Sequence, residues 1–159
     1  MNLRIEPATV SDVPAILHLV RQLAIYEKLL DNMVATEGDF ERALFGPDRT
    51  AHALVAFIGA EAVGFALFFY TFSTFLGARG IYLEDIFVEP EFRGRGIGKA
   101  LMKRVARVAK EQNCGRMEWS VLTWNQPSID FYHALGAVTL EEWRMLRLTG
   151  DALAALGSE

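Results

Sequence analysis

One cysteine stands in 159 residues, so no disulfide can form within the chain, and the composition suits a reducing compartment. That residue, Cys114, lies between Asn113 and Gly115, with nothing beside it in sequence that would lower a thiol pKa. Long apolar runs are missing too. The longest, Ala62 to Tyr70, has about half the length that a membrane-spanning helix needs. The N-terminus carries Arg4 and Glu6 where a secretory signal would have its apolar core. These features lead us to expect a soluble cytoplasmic protein. The three histidines, His18, His52 and His133, have no metal-ligand spacing, so no bound metal is expected. A net charge of -4 argues against nucleic acid as partner, because its binders carry a basic balance.

What is present is enough apolar surface for a single core: the hydrophobic share is 52%. No repeat, low-complexity tract or linker divides the chain, so we expect one domain over 1–159. Leu3 to Glu6 reads as a strand. Ser11 and Asp12 offer caps, ahead of Pro14, for a helix reaching about Glu27, with Ile16, Leu17, Val20, Leu23 and Ala24 as its buried stripe. Thr36 and Asp39 resemble a capping box for a short helix through Leu44. Ala53 to Ile58 and Val63 to Tyr70 read as an antiparallel hairpin, Thr71 to Gly80 as an aromatic loop, and Ile81 to Val88 as a third strand. A long helix spans Gly96 to Gln112, with Leu101, Val105 and Val108 inward. A strand over Arg116 to Leu122, a helix from Gln126 to Leu135 stopped by Gly136, a strand over Trp143 to Leu148 and a brief final helix complete the reading. The order implies an α/β (α+β) fold: a mixed, mostly antiparallel central sheet flanked by helices.

The densest signal is Arg93-Gly94-Arg95-Gly96-Ile97-Gly98-Lys99, between a strand and a helix. Alternate glycines let a ligand approach the backbone. The unpaired N–H groups of the next helical turn, at the positive end of its dipole, favour a pyrophosphate. Arg93, Arg95 and Lys99 supply charge for it. The spacing is neither that of a dinucleotide fold nor that of a nucleotide-triphosphate P-loop.

Arg93-x-x-Gly96-x-Gly98 resembles the coenzyme A motif [Q/R]-x-x-G-x-[G/A] of the GNAT acetyltransferases. Three stretches resemble one branch of that superfamily, the diamine (spermidine/spermine) acetyltransferases and their thialysine-acetylating relatives. They are Tyr82-Leu83-Glu84-Asp85-Ile86-Phe87-Val88, Trp124-Asn125-Gln126-Pro127-Ser128-Ile129-Asp130-Phe131-Tyr132, and Ala24-Ile25-Tyr26-Glu27. The resemblance runs from Leu3 to about Leu148. It implies a GNAT fold, acetyl-CoA as cosubstrate, a primary-amine acceptor and a homodimer. It also implies a coenzyme-binding set of Ile86, Phe87, Val88, Arg93, Gly94, Arg95, Gly96, Ile97, Gly98, Lys99, Asn125 and Ser128. Helix capping is an equally good physical reason for Asn125.

Acyl transfer to an amine poses two proton problems. An alkylamine with a pKa of about 10.4 is neutral in roughly one molecule in 2,500 at pH 7, a penalty of roughly 4.6 kcal/mol. A base must take that proton, and the departing thiolate must gain one. The resemblance assigns the acid to Tyr132, and the substrate amine to Tyr26, Glu27 and Glu84, with Glu84 acting as base through water. Strand alternation predicts that Glu84 and Asp85 point to opposite faces and do not act as a pair. Phe72-Ser73-Thr74-Phe75 departs from the polyamine pattern: Ser73 stands where those relatives carry an acid, and Phe75 where they carry Trp. This favours a thialysine-like small amine. A protein N-terminus or lysine as acceptor, and a coenzyme A sensor without turnover, are the alternatives. The aromatics Phe68, Phe69, Tyr70, Phe72 and Phe75 are expected to narrow the acceptor cleft.

Overall fold

The computed structural model of the protein describes residues 1–158, which form two compact units, the first over 1–120 and the second from 121 onward. The first unit holds a five-stranded sheet in the order β1 (Leu3–Pro7), β2 (His52–Ile58), β3 (Glu61–Ser73), β4 (Ala78–Val88), β5 (Met117–Glu118). Neighbours from β1 to β4 are antiparallel, and β5 joins β4 in parallel. A parallel neighbour requires a crossover, and α3 (Ile97–Glu111) provides it.

Local chemistry explains most of the helices. A 3-10 turn at Val10–Asp12 opens on Thr9, whose N–H donates to Asp12 Oδ2 at 2.7 Å. It leads into α1 (Val13–Tyr26), with Pro14 in the first turn, where no N–H is missed. The capping box before α2 (Glu37–Phe45) is present: Thr36 Oγ1 accepts from Asp39 N–H at 3.3 Å, and Asp39 Oδ2 accepts from Thr36 N–H at 2.8 Å. These bonds to its carboxylate, from the Thr36 backbone first, hold the Asp39 pKa below the usual range.

Both faces of the sheet are covered. On one face Ile16 and Leu19 of α1 and Leu44 of α2 pack with Ala53, Val55, Phe65 and Phe87. On the other, Ile97, Leu101, Met102, Val105 and Ala109 form the buried stripe of α3, which packs on β3 and β4. Val108 is only half-buried; Ala109 takes its inward place. Each fully buried aliphatic side chain contributes on the order of 1.5–3 kcal/mol, so the three buried residues Val13, Ile16 and Leu19 anchor α1 firmly.

Three expectations fail. Thr71 to Gly80 is not a loop, since Thr71, Phe72 and Ser73 pair with Gly80, Arg79 and Ala78. The reversal needs only residues 74–77, because Gly77 takes φ +62° and donates its N–H to Ser73 O at 2.8 Å. Consequently Phe75 at the hairpin tip is fully exposed, Phe68 is buried against His52, and the five aromatics do not share one cleft. The strand over Arg116 to Leu122 is reduced to Met117–Glu118. Trp143 to Leu148 forms no strand: Trp143, Met145 and Leu146 are strongly exposed, and an alternating pattern without a paired neighbour has no ladder to join.

The second unit contains α4 (Gln126–Ala134) and α5 (Gly150–Leu156). Gly136 follows α4 at φ +97°, the left-handed stop that its sequence position predicts. No helix among the described residues is long and apolar enough to cross a membrane.

Candidate active site

The glycine turn takes a backbone conformation that favours glycine. Gly94 and Gly96 adopt φ +74° and +80°, and a Cβ added at either would meet nothing within 4 Å. Side chains are disfavoured there by the backbone angle alone. Gly96 is the left-handed N-cap of α3, and its carbonyl accepts the first helical bond, from Ala100 N–H at 2.9 Å. The N–H groups of Ile97, Gly98 and Lys99 precede that bond and have no partner inside the helix. They point, with the helix dipole, toward the space in front of the turn. Arg95 and Lys99 are exposed around it, Arg95 with its guanidinium carbon 5.4 Å from the Phe92 ring centroid. A diphosphate fits such a cradle.

Upstream of the turn, β4 keeps part of one edge open. β5 pairs with it only at Ile81 and Tyr82. Glu89 donates its N–H to Val63 O at 2.9 Å, so alternation turns the backbone groups of Val88 and Ile86 away from β3. They are placed to bind an extended amide-bearing arm as another strand would. Phe87, between them, points into the core.

The register of β4 breaks inside its acidic pair. Leu67 pairs with Asp85 and Phe68 with Leu83, leaving Glu84 as the extra residue of a β-bulge. Strict alternation does not carry through a bulge, and the structure leaves Glu84 exposed while Asp85 is partly buried. Asp85 shares the face of Leu67, which packs against the core beneath α1 with Tyr26. Its pKa is pushed up to about 7, by burial first, then by the charges of Glu84 and Glu27. Burial also raises the Glu27 pKa. Glu84 itself is exposed. The structure thus brings together Tyr26 and Glu27 at the end of α1 with Glu84 and Asp85 on β4. Carboxyl groups gathered in this way favour a cation among them.

The remaining sequence-derived residues lie in the second unit. Asn125 caps α4: it is buried, and its Oδ1 accepts from Ser128 N–H at 3.4 Å. The capping explanation for this residue is therefore met. Tyr132 lies in the last turn of α4, its ring 5.4 Å from that of Phe131.

Residues 22–137 match the acetyltransferase (GNAT) family. The chain belongs to the GNAT acetyltransferases. Similar relatives of this N-acetyltransferase include the thialysine N-epsilon-acetyltransferase of Bos taurus, 40% identical over 98% of this chain and 97% of that protein. The L-ornithine N5-acetyltransferase of Arabidopsis thaliana is 33% identical over 96% of this chain and 87% of its own length. Among solved structures, an integron cassette protein from the mobile metagenome of V. cholerae superposes with a TM-score of 0.84. It is 26% identical, over 100% of this chain and 99% of that one. An aminoglycoside acetyltransferase from a soil metagenome, 17% identical with a TM-score of 0.79 over 94% and 97% of the two chains, shares the fold.

For this GNAT enzyme the residue that sequence reasoning passed over is Asp85. The signal was an acid inside an apolar strand. The resemblance points to its neighbour Glu84, and the bulge that sets the relation of the two acids is a property of the β3–β4 pairing.

Proposed function

We infer that this GNAT N-acetyltransferase moves an acetyl group from acetyl-CoA to the primary amine of a small cationic molecule, with thialysine-like amino acids foremost. The observation that carries the reading is the glycine turn at the head of α3, with Gly94 and Gly96 in left-handed conformations and three unpaired N–H groups behind them. The backbone from Gly94 to Lys99, with Arg95 and Lys99, holds the diphosphate. Ile86 and Val88 bind the pantetheine arm through backbone groups, and Ser128 and Asn125 add polar contacts. Acetyl-CoA supplies the activated acetyl thioester.

Tyr26, Glu27 and Glu84 receive the ammonium, with Asp85 beside them. Glu84, exposed on its bulge, accepts one proton from the substrate ammonium through a water, so that the amine nitrogen gains its lone pair. That nitrogen bonds to the acyl carbon as the carbon–sulfur bond breaks. Tyr132 donates its phenolic proton to the leaving sulfur and recovers one from the product amide nitrogen through solvent. The balance is one acetamide and one free thiol.

Relatives that act on thialysine and ornithine support a small amine as acceptor. Ser73 adds to that preference. Its hydroxyl is buried and accepts from Leu76 N–H at 3.1 Å, so the hairpin offers no carboxylate there for a second ammonium. The test is calorimetric titration with CoA, followed by thiol release on a panel of thialysine, ornithine, lysine and spermidine with acetyl-CoA. Saturable CoA binding and turnover with thialysine or ornithine support the reading. Absence of saturable CoA affinity removes it.

A further inference from the structure

Arg93 stands immediately before the glycine turn, where its charge suggests a phosphate ligand. Its contacts lie elsewhere. The guanidinium carbon sits 5.1 Å from the Tyr26 ring centroid and 5.2 Å from that of Phe87. Its Nε donates to Val88 O at 2.8 Å. Tyr26 is the last residue of α1, Phe87 belongs to the core under that helix, and Val88 ends β4. One planar cation therefore ties the end of the helix carrying the acceptor-side residues to the end of the strand carrying the coenzyme-side edge. A guanidinium stacks with its faces and bonds in its plane at the same time. An ammonium offers the charge without the plane.

We propose that Arg93 is a positioning residue that sets the separation between amine and thioester by locking Tyr26 and Glu27 to the end of β4. This rests on the transferase reading above. It also gives Arg93 a different duty from Arg95 and Lys99, which border the diphosphate cradle. The Nε bond takes the Val88 carbonyl out of the open β4 edge, leaving that residue's N–H for the coenzyme arm. Displacement of bound groups by about an ångström can lower a rate by two orders of magnitude, so loosening this clamp should be felt in turnover.

The discriminating set is Arg93→Lys, Arg93→Met and Tyr26→Leu. For each, the measurements are kcat and KM for thialysine, calorimetric CoA affinity at low and high salt, and amide hydrogen exchange over residues 23–28. We expect Arg93→Lys and Arg93→Met to lower kcat/KM for thialysine alike, by about tenfold, and to speed exchange over 23–28. CoA affinity should stay within about threefold of the parent. Tyr26→Leu should reproduce the loss, and adding Arg93→Met to it should cost little more, as coupled residues do. The proposal is overturned if Arg93→Lys matches the parent in both kinetics and exchange. It is equally overturned if Arg93→Met weakens CoA about tenfold, flattens its salt dependence and leaves 23–28 unchanged, the behaviour of a phosphate ligand. A parent protein that binds no CoA would remove the transferase reading, while the exchange data would still decide the clamp.

Discussion

Leu67 lies opposite Asp85 across β3 and β4, whereas its neighbour Phe68 lies opposite Leu83. The strand must therefore accommodate Glu84 as a supernumerary residue, and Asp85 turns to the face that α1 covers. Bulges re-aim side chains beside active sites, and here the consequence is a carboxyl group whose pKa, about 7, lies in the working pH range.

That carboxyl makes stability depend on pH in a direction opposite to the usual acidic residue. Below pH about 4 the group is protonated in both folded and unfolded chains. Between that value and about 7 the folded chain keeps the proton while the unfolded chain has lost it, so stability falls as pH rises. Above about 7 the effect levels off. Thermal unfolding from pH 4 to 8 should show this decline in the parent and a flatter profile in Asp85→Asn. Parallel profiles would show that Asp85 carries no displaced proton.

Replacing Glu84 by Gln removes the proposed base and keeps its size. We expect kcat/KM for the amine to fall by about two orders of magnitude or more at neutral pH, with CoA affinity unchanged. Because the amine then relies on its own small neutral fraction, activity should recover steadily as pH is raised toward 9. A pH profile with the parent's shape would exclude Glu84 as the proton acceptor.

Tyr132→Phe deletes a hydroxyl and leaves the ring that meets Phe131. Turnover should drop by about two orders of magnitude while CoA still binds, since only the proton to sulfur is withdrawn. Full activity in this variant would disprove the acid role.

Gly96→Ala tests the turn. A Cβ there meets no atom, so the cost comes from φ +80° alone, on the order of 1–2 kcal/mol. Melting temperature and CoA affinity should both decrease. Gly96→Asn should do less harm, because asparagine tolerates left-handed backbone better. Equal effects of the two changes would mean that the side chain, not the backbone, is responsible.

What the sequence determined by itself were the features written in short-range chemistry. Thr36 and Asp39 specify a capping box, Gly136 specifies a left-handed helix end, and the apolar spacing of Leu101 and Val105 specifies the buried stripe of α3. Each depends on residues within about a turn of one another, so the local backbone geometry decides it. Tertiary structure alone decided the bulge at Glu84, the displaced proton of Asp85 and the seat of Arg93 between Tyr26 and Phe87. It also cut β5 to Met117–Glu118 and left Trp143 to Leu148 outside any strand. The physical reason is the same in each case. Pairing register, desolvation and stacking are properties of groups far apart in the chain, and they acquire values only when folding brings those groups within reach.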